Sequence, residues 1–71
     1  MHKLTLAQKA MLIKLWNAPG KFLPGSELRE ITRAALIRHG YIETVRVINR
    51  PMYQLTQAGI RYNQTGKEIG E

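Results

Sequence analysis

The chain contains no cysteine and no aspartate. Without cysteine it forms no disulfide and no thiolate-bound zinc site, two devices that often stabilise small domains. The same absence fits a reducing compartment. Long apolar runs are missing too: Lys9 and Lys14 interrupt the segment from Leu4 to Trp16, which argues against a secretory signal. No stretch approaches the roughly 18 apolar residues of a membrane span. A cytoplasmic protein that does not enter a membrane is expected.

Catalytic constellations are equally scarce. Acid–base and nucleophilic chemistry need a positioned pair or triad, and the only histidines, His2 and His39, have no Asp or Cys to complete one. His39 falls near a helix end, where capping is its ordinary role. No glycine-rich phosphate loop follows a strand. Neither enzymatic activity nor a metal or cofactor is expected.

What is present is positive charge. Eleven Lys and Arg stand against five Glu, a formal net charge of +6 over 71 residues. The imbalance suits an anionic partner, with nucleic acid the foremost, although charge also keeps small proteins soluble. Between Ile31 and Lys67 the only acid is Glu43, while Arg33, Arg38, Arg46, Arg50, Arg61 and Lys67 share that span. A chain of this length has room for one core, so it reads as a single domain, centred on about residues 4–63.

The first periodic segment opens at Thr5-Leu-Ala-Gln8, a capping box in which the threonine oxygen and the glutamine side chain each satisfy a free N–H. A helix from about Leu6 to Trp16 follows, with Leu6, Ala10, Met11, Ile13 and Leu15 toward the core and Gln8, Lys9 and Lys14 away from it. Trp16 belongs to the core. Asn17-Ala-Pro-Gly20 and Pro24-Gly25 break the chain, and Phe22 and Leu23 anchor an irregular or briefly extended connection between them.

Ser26 is a good cap for a second helix ending at Gly40, with Glu27 at its positive end and Arg38 and His39 at its negative end. At about 100° per residue, Leu28, Ile31, Thr32, Ala35, Leu36 and His39 share one face, and Arg29, Glu30, Arg33, Ala34 and Ile37 the other. A break near Thr32, itself a capping residue, would divide the segment into two short helices. After Gly40 the β-branched run Tyr41 to Ile48 predicts a strand, Asn49-Arg50-Pro51 a turn, and Met52 to Leu55 a returning strand with Tyr53 and Leu55 on one side. Thr56 caps a short final helix, and residues 64–71 form a polar, frayed tail.

Two stretches carry a resemblance: Ala35-Leu-Ile-Arg-His-Gly-Tyr-Ile-Glu43 and Tyr53-Gln-Leu-Thr-Gln-Ala-Gly59. The first resembles the end of the recognition helix and the beginning of the wing in winged helix-turn-helix proteins. The second resembles the exit from the wing in MarR-like bacterial repressors. The resemblance implies an α+β fold, a small winged helix: two or three N-terminal helices, a two-stranded hairpin wing and a short C-terminal helix. It implies a double-stranded DNA-binding transcriptional regulator in a compact form of the phage or mobile-element type. Too few residues separate Pro24 from Gly40 for a full supporting helix, which must be shortened or replaced by loop. The long flanking helices through which these repressors dimerise have no counterpart, so a monomer or weak homodimer is expected.

A recognition helix in the major groove supplies base contacts, and a basic wing holds phosphate. The candidate DNA-binding residues are Ser26, Arg29, Glu30, Arg33 and Ile37 on the second helix, and Arg46 and Arg50 on the hairpin. Arg33 is placed against a guanine edge. The competing class is a protein-interaction module, such as an inhibitor of a host enzyme, docking through Ile37 with Met52 or Tyr41. Salt dependence separates the two, because counterion release accompanies phosphate contacts only.

Overall fold

The computed structural model describes residues 3–70, so His2 and Glu71 lie outside the described residues. The capping box forms as the sequence predicts: the Thr5 hydroxyl accepts from Gln8 N at 3.2 Å, and Gln8 Oε1 accepts from Thr5 N at 3.0 Å. It opens helix α1, Leu6–Asn17. Ala18 then turns extended, φ −70° and ψ 144°, as the residue before a proline must. Lys21 comes back over the end of α1, its Nζ donating to Trp16 O at 2.6 Å and lying 4.1 Å from the indole centroid. That puts a cation at the negative end of the helix.

The buried stripe of α1 differs from the expected one. Gln8, Met11, Leu12 and Leu15 face inward, whereas Leu6 is 85% and Ile13 49% exposed, and Ala10 is also exposed. Apolar residues occupy two sides of this helix, so its periodicity admits two stripes, and the capping bond lets Gln8 be buried with its amide engaged.

Three residues of the connection form a strand. After a 3-10 turn at Pro19–Lys21, β1 (Phe22–Pro24) pairs antiparallel with a later strand, Leu23 opposite Tyr53. The wing thus belongs to a three-stranded sheet rather than standing as two strands alone. Leu23 packs on the core, and Phe22, one residue away, lies on the other face of the sheet.

Ser26 does not cap the second helix. Gly25–Glu27 close a single 3-10 turn, Leu28 and Arg29 are extended, and α2 runs Glu30–Arg38 with Arg29 as its N-cap and no side-chain capping bond. The break at Leu28 and Arg29, earlier than Thr32, delivers Leu28 into the core and rotates Ile31 outward to 82% exposure. The supporting helix is thereby reduced to one turn.

The C-terminal end of α2 follows the sequence reading. Gly40 has φ 86°, its N–H donates to Ile37 O at 3.1 Å, and Tyr41 N donates to Leu36 O at 2.9 Å, a Schellman closure. Strands β2 (Ile42–Val47) and β3 (Arg50–Leu55) pair with Ile42 opposite Leu55 and Val47 opposite Arg50, giving the sheet order β1-β3-β2. The turn is Ile48-Asn49, one residue earlier than expected, and both have positive φ, 48° and 62°. Val47 and Arg50 flank this two-residue turn as a hydrogen-bonded pair, so Pro51 falls at a position facing away from β2 and forfeits no bond to it.

Thr56 caps α3 (Gln57–Thr65), accepting from Gly59 N at 3.3 Å and donating to Gly40 O at 2.6 Å. One hydroxyl therefore ties the end of α2 to the start of α3. Asn63 Nδ2 donates to Leu12 O at 3.1 Å, seating α3 on α1. Beyond Gly66 the chain folds back rather than fraying: Leu4 N donates to Glu68 Oε1 at 2.9 Å and Ile69 N to the Tyr41 hydroxyl at 2.8 Å. The core beneath is built on Leu12, Leu15, Leu36, Tyr41, Ile42 and Leu55, all buried.

Candidate nucleic-acid interface

The outward side of α2 carries Glu30, Ile31, Ala34, Ile37 and Arg38, all exposed. Opposite them Thr32 and Leu36 are buried against the rest of the fold. Arg29 is exposed at the N-cap, and Ser26 is exposed on the preceding turn. Lys14 Nζ donates to Glu27 O at 2.8 Å, bringing a further cation beside that turn.

Arg33 is not on the exposed face where the helical projection places it. It is half-buried, with Nη1 donating to Gly25 O at 2.9 Å and Leu28 O at 3.4 Å, and its guanidinium carbon lies 4.9 Å from the Tyr53 ring centroid. The cause is local. The 3-10 turn leaves carbonyls facing the first turn of α2, and a planar, multiply donating guanidinium meets them while stacking on the aromatic ring. Glycine at position 25 leaves room for this contact, because a Cβ there would come within 2.8 Å of Arg33 Nη1 and 3.2 Å of Tyr53 Cε2 and push the guanidinium aside. The partners of Arg33 are these carbonyls and the ring, rather than Glu27 or Glu30.

This contact relates α2 to the hairpin. Tyr53 pairs with Thr44, and the next pair on the same face of the sheet is Arg46 opposite Pro51. Arg46 thus stands two residues, about 7 Å, further out than Tyr53 on the side that carries α2. Arg50, opposite Val47, lies on the other flank of the hairpin. Both arginines are exposed. Ser26, Arg29 and Glu30 thus precede the inward-turned Arg33 as exposed residues, Arg46 lies on the Tyr53 face of the hairpin, Ile37 follows a turn further along α2, and Arg50 lies on the hairpin's other face.

Two further residues emerge. Ile31 joins Ala34 and Ile37 on the outward face of α2, a consequence of the helix break with no local sequence signal. Ile48 occupies the hairpin tip at 91% exposure; its position just before Asn49, a residue that tolerates the left-handed conformation of such turns, was the available clue. Tyr41, in contrast, offers no docking surface, being only 1% exposed with its ring in the core. Met52 is half-buried on the outer face of the sheet beside Val45, its strand partner.

Among the described residues no group of three His, Cys, Asp or Glu could hold a metal ion, and no helix is long and apolar enough to cross a membrane. His39 forms the C-cap of α2, its N–H donating to Ala35 O at 3.0 Å.

Helix, short strand, turn, helix, hairpin and helix follow one another on a three-stranded antiparallel sheet, an α+β arrangement consistent with a small winged helix. No protein-family model matches the chain, and neither a curated protein nor a solved structure matches it.

Proposed function

We propose that this domain is a non-enzymatic, cytoplasmic DNA-binding protein, a small transcriptional regulator acting as a monomer or weak homodimer. Helix α2 enters the major groove of double-stranded DNA, and the β2–β3 hairpin lies against the adjoining backbone. The observation that carries this reading is the contact of Arg33 with Tyr53, which holds the first turn of α2 at a fixed offset from Arg46 on one face of the domain. A rigid relation between a helix and a cation on a hairpin is what simultaneous engagement of base edges and phosphate requires.

The roles follow from exposure. Arg29, Arg46 and Arg50 neutralise phosphates, with Ser26 donating to the same backbone. Glu30 accepts from the amino group of a cytosine, and Ala34 and Ile37 meet thymine methyl groups. Arg33 positions the helix. Fluorescence anisotropy with mixed-sequence duplex DNA at two salt concentrations tests the reading: binding that weakens steeply with salt supports it, and no binding at low salt rejects it.

The exposed aliphatics Ile31, at 82%, and Ile37, at 39%, on α2 favour a second reading, a protein-interaction module. That partner would be bound with little salt dependence.

A further inference from the structure

Ile48 is the most exposed large hydrophobic side chain among the described residues, at 91%, and sits at the first position of a two-residue hairpin turn. Its φ of 48° lies in the left-handed region, which crowds a β-branched side chain. Turns of this kind favour Asn, Asp or Gly at both central positions; Asn49 obeys that preference and Ile48 does not. The side chain recovers nothing by packing, since solvent surrounds it. Backbone strain of this kind clusters at active sites, ligand clamps and switch regions.

The surroundings specify the ligand. Arg46 and Arg50 lie two residues to either side of Ile48, on opposite flanks of the hairpin. The acid on this hairpin, Glu43, is at its far end and accepts from Gln54 Nε2 at 2.8 Å. An apolar tip between two cations suits a narrow apolar slot with anionic walls. The minor groove of DNA is such a slot, about 6 Å wide between phosphate backbones, with base steps at its floor. Proteins that enter it often part a base step with an aliphatic side chain and kink the duplex.

We propose that Ile48 is a wedge that enters the minor groove and partly unstacks one base step, with Arg46 and Arg50 gripping the two backbones. The proposal rests on the DNA-binding reading above. Pyrimidine–purine steps, which unstack most readily, are the preferred sites. The wedge supplies preference through deformability at a step that α2 does not touch.

The test uses the full chain, its Ile48→Asn and Ile48→Leu variants, and a set of duplexes carrying 2-aminopurine at successive TA and CA steps. Parent protein should raise 2-aminopurine fluorescence at one such step on binding. Ile48→Leu, still apolar, should keep the rise. Ile48→Asn should abolish it and weaken binding about tenfold, the scale of one buried aliphatic side chain, with the salt slope unchanged because both arginines remain. Ile48→Asn should also melt at a higher temperature than the parent, which shows that its weaker binding does not come from unfolding. Salt-dependent binding by the parent without a fluorescence change at any step overturns the wedge alone, as does an undiminished rise with Ile48→Asn. No anisotropy change at low salt overturns the DNA-binding reading and the wedge with it.

Discussion

Arg33 lies over the ring of Tyr53, 4.9 Å from its centroid, while its Nη1 donates to Gly25 O at 2.9 Å. One side chain therefore joins the first turn of α2, the turn before it and the central strand of the sheet. Arg33→Ala should destabilise the domain by about 1–3 kcal/mol, through two carbonyls losing a charged donor and a ring losing its cation. Arg33→Lys should recover only part of it, since an ammonium can donate and face the ring but is more strongly hydrated and lacks the guanidinium plane. Urea titration of both variants checks this; parent-like midpoints would show the contact to be ornamental to stability.

The two candidate stripes of α1 and the core face of α2 give opposite expectations for similar substitutions. Leu36→Ala, at a position with no exposure, should cost about 2–5 kcal/mol, comparable with the whole stability of so small a domain. Leu6→Ala, at 85% exposure, should fall within about 0.5 kcal/mol of the parent. Thermal melting followed by circular dichroism distinguishes them, and a reversed order would assign α1 the other buried face.

Gly59 and Gly66 make a similar contrast at the two ends of α3. A Cβ on Gly59 would collide with Tyr41 O and come within 2.8 Å of Leu55 Cδ2, whereas one on Gly66 meets nothing within 4 Å. Gly59→Ala should thus destabilise by about 2 kcal/mol or more despite the better helix propensity of alanine. Gly66→Ala should cost only about 1 kcal/mol, the penalty of φ 75° for a residue with a Cβ. Denaturation midpoints for the pair are the measurement.

Recognition is expected to divide between α2 and the hairpin. Arg46→Ala and Arg50→Ala should weaken binding to all duplexes alike, each lowering the salt slope by about one unit. Glu30→Gln should instead relax one base position, and Arg33→Ala should leave the preferred sequence unchanged. Selection from a randomised duplex pool reads out both; a shift in preference with Arg33→Ala would restore that arginine to the base-reading surface.

The features legible in the sequence are those written in local chemistry. Thr5 with Gln8, Gly40 and Thr56 each signal a chain end through their own side chain or its absence, and the structure places all of them where the sequence does. The hairpin was equally readable from its β-branched run, apart from a one-residue displacement of the turn. What escaped depends on contacts between segments distant in sequence. Nothing near Arg29 marks it as an N-cap, because its side chain makes no capping bond. Ser26 and Glu27 imitate a helix start that Leu28, drawn into the core, prevents. The inward turn of Arg33 needs Tyr53, which no helical projection of α2 contains. On α1, a buried glutamine broke the apolar pattern that would have singled out Leu12.

The register of the hairpin has one more consequence. Because Arg46 and Arg50 project from opposite faces of the hairpin, a guanidinium meets an anionic wall on either side of it. It therefore provides grip without handedness. On a duplex, the direction in which the domain lies along the helix would be set by α2 alone, whose acidic Glu30 end and basic Arg38 end are not interchangeable.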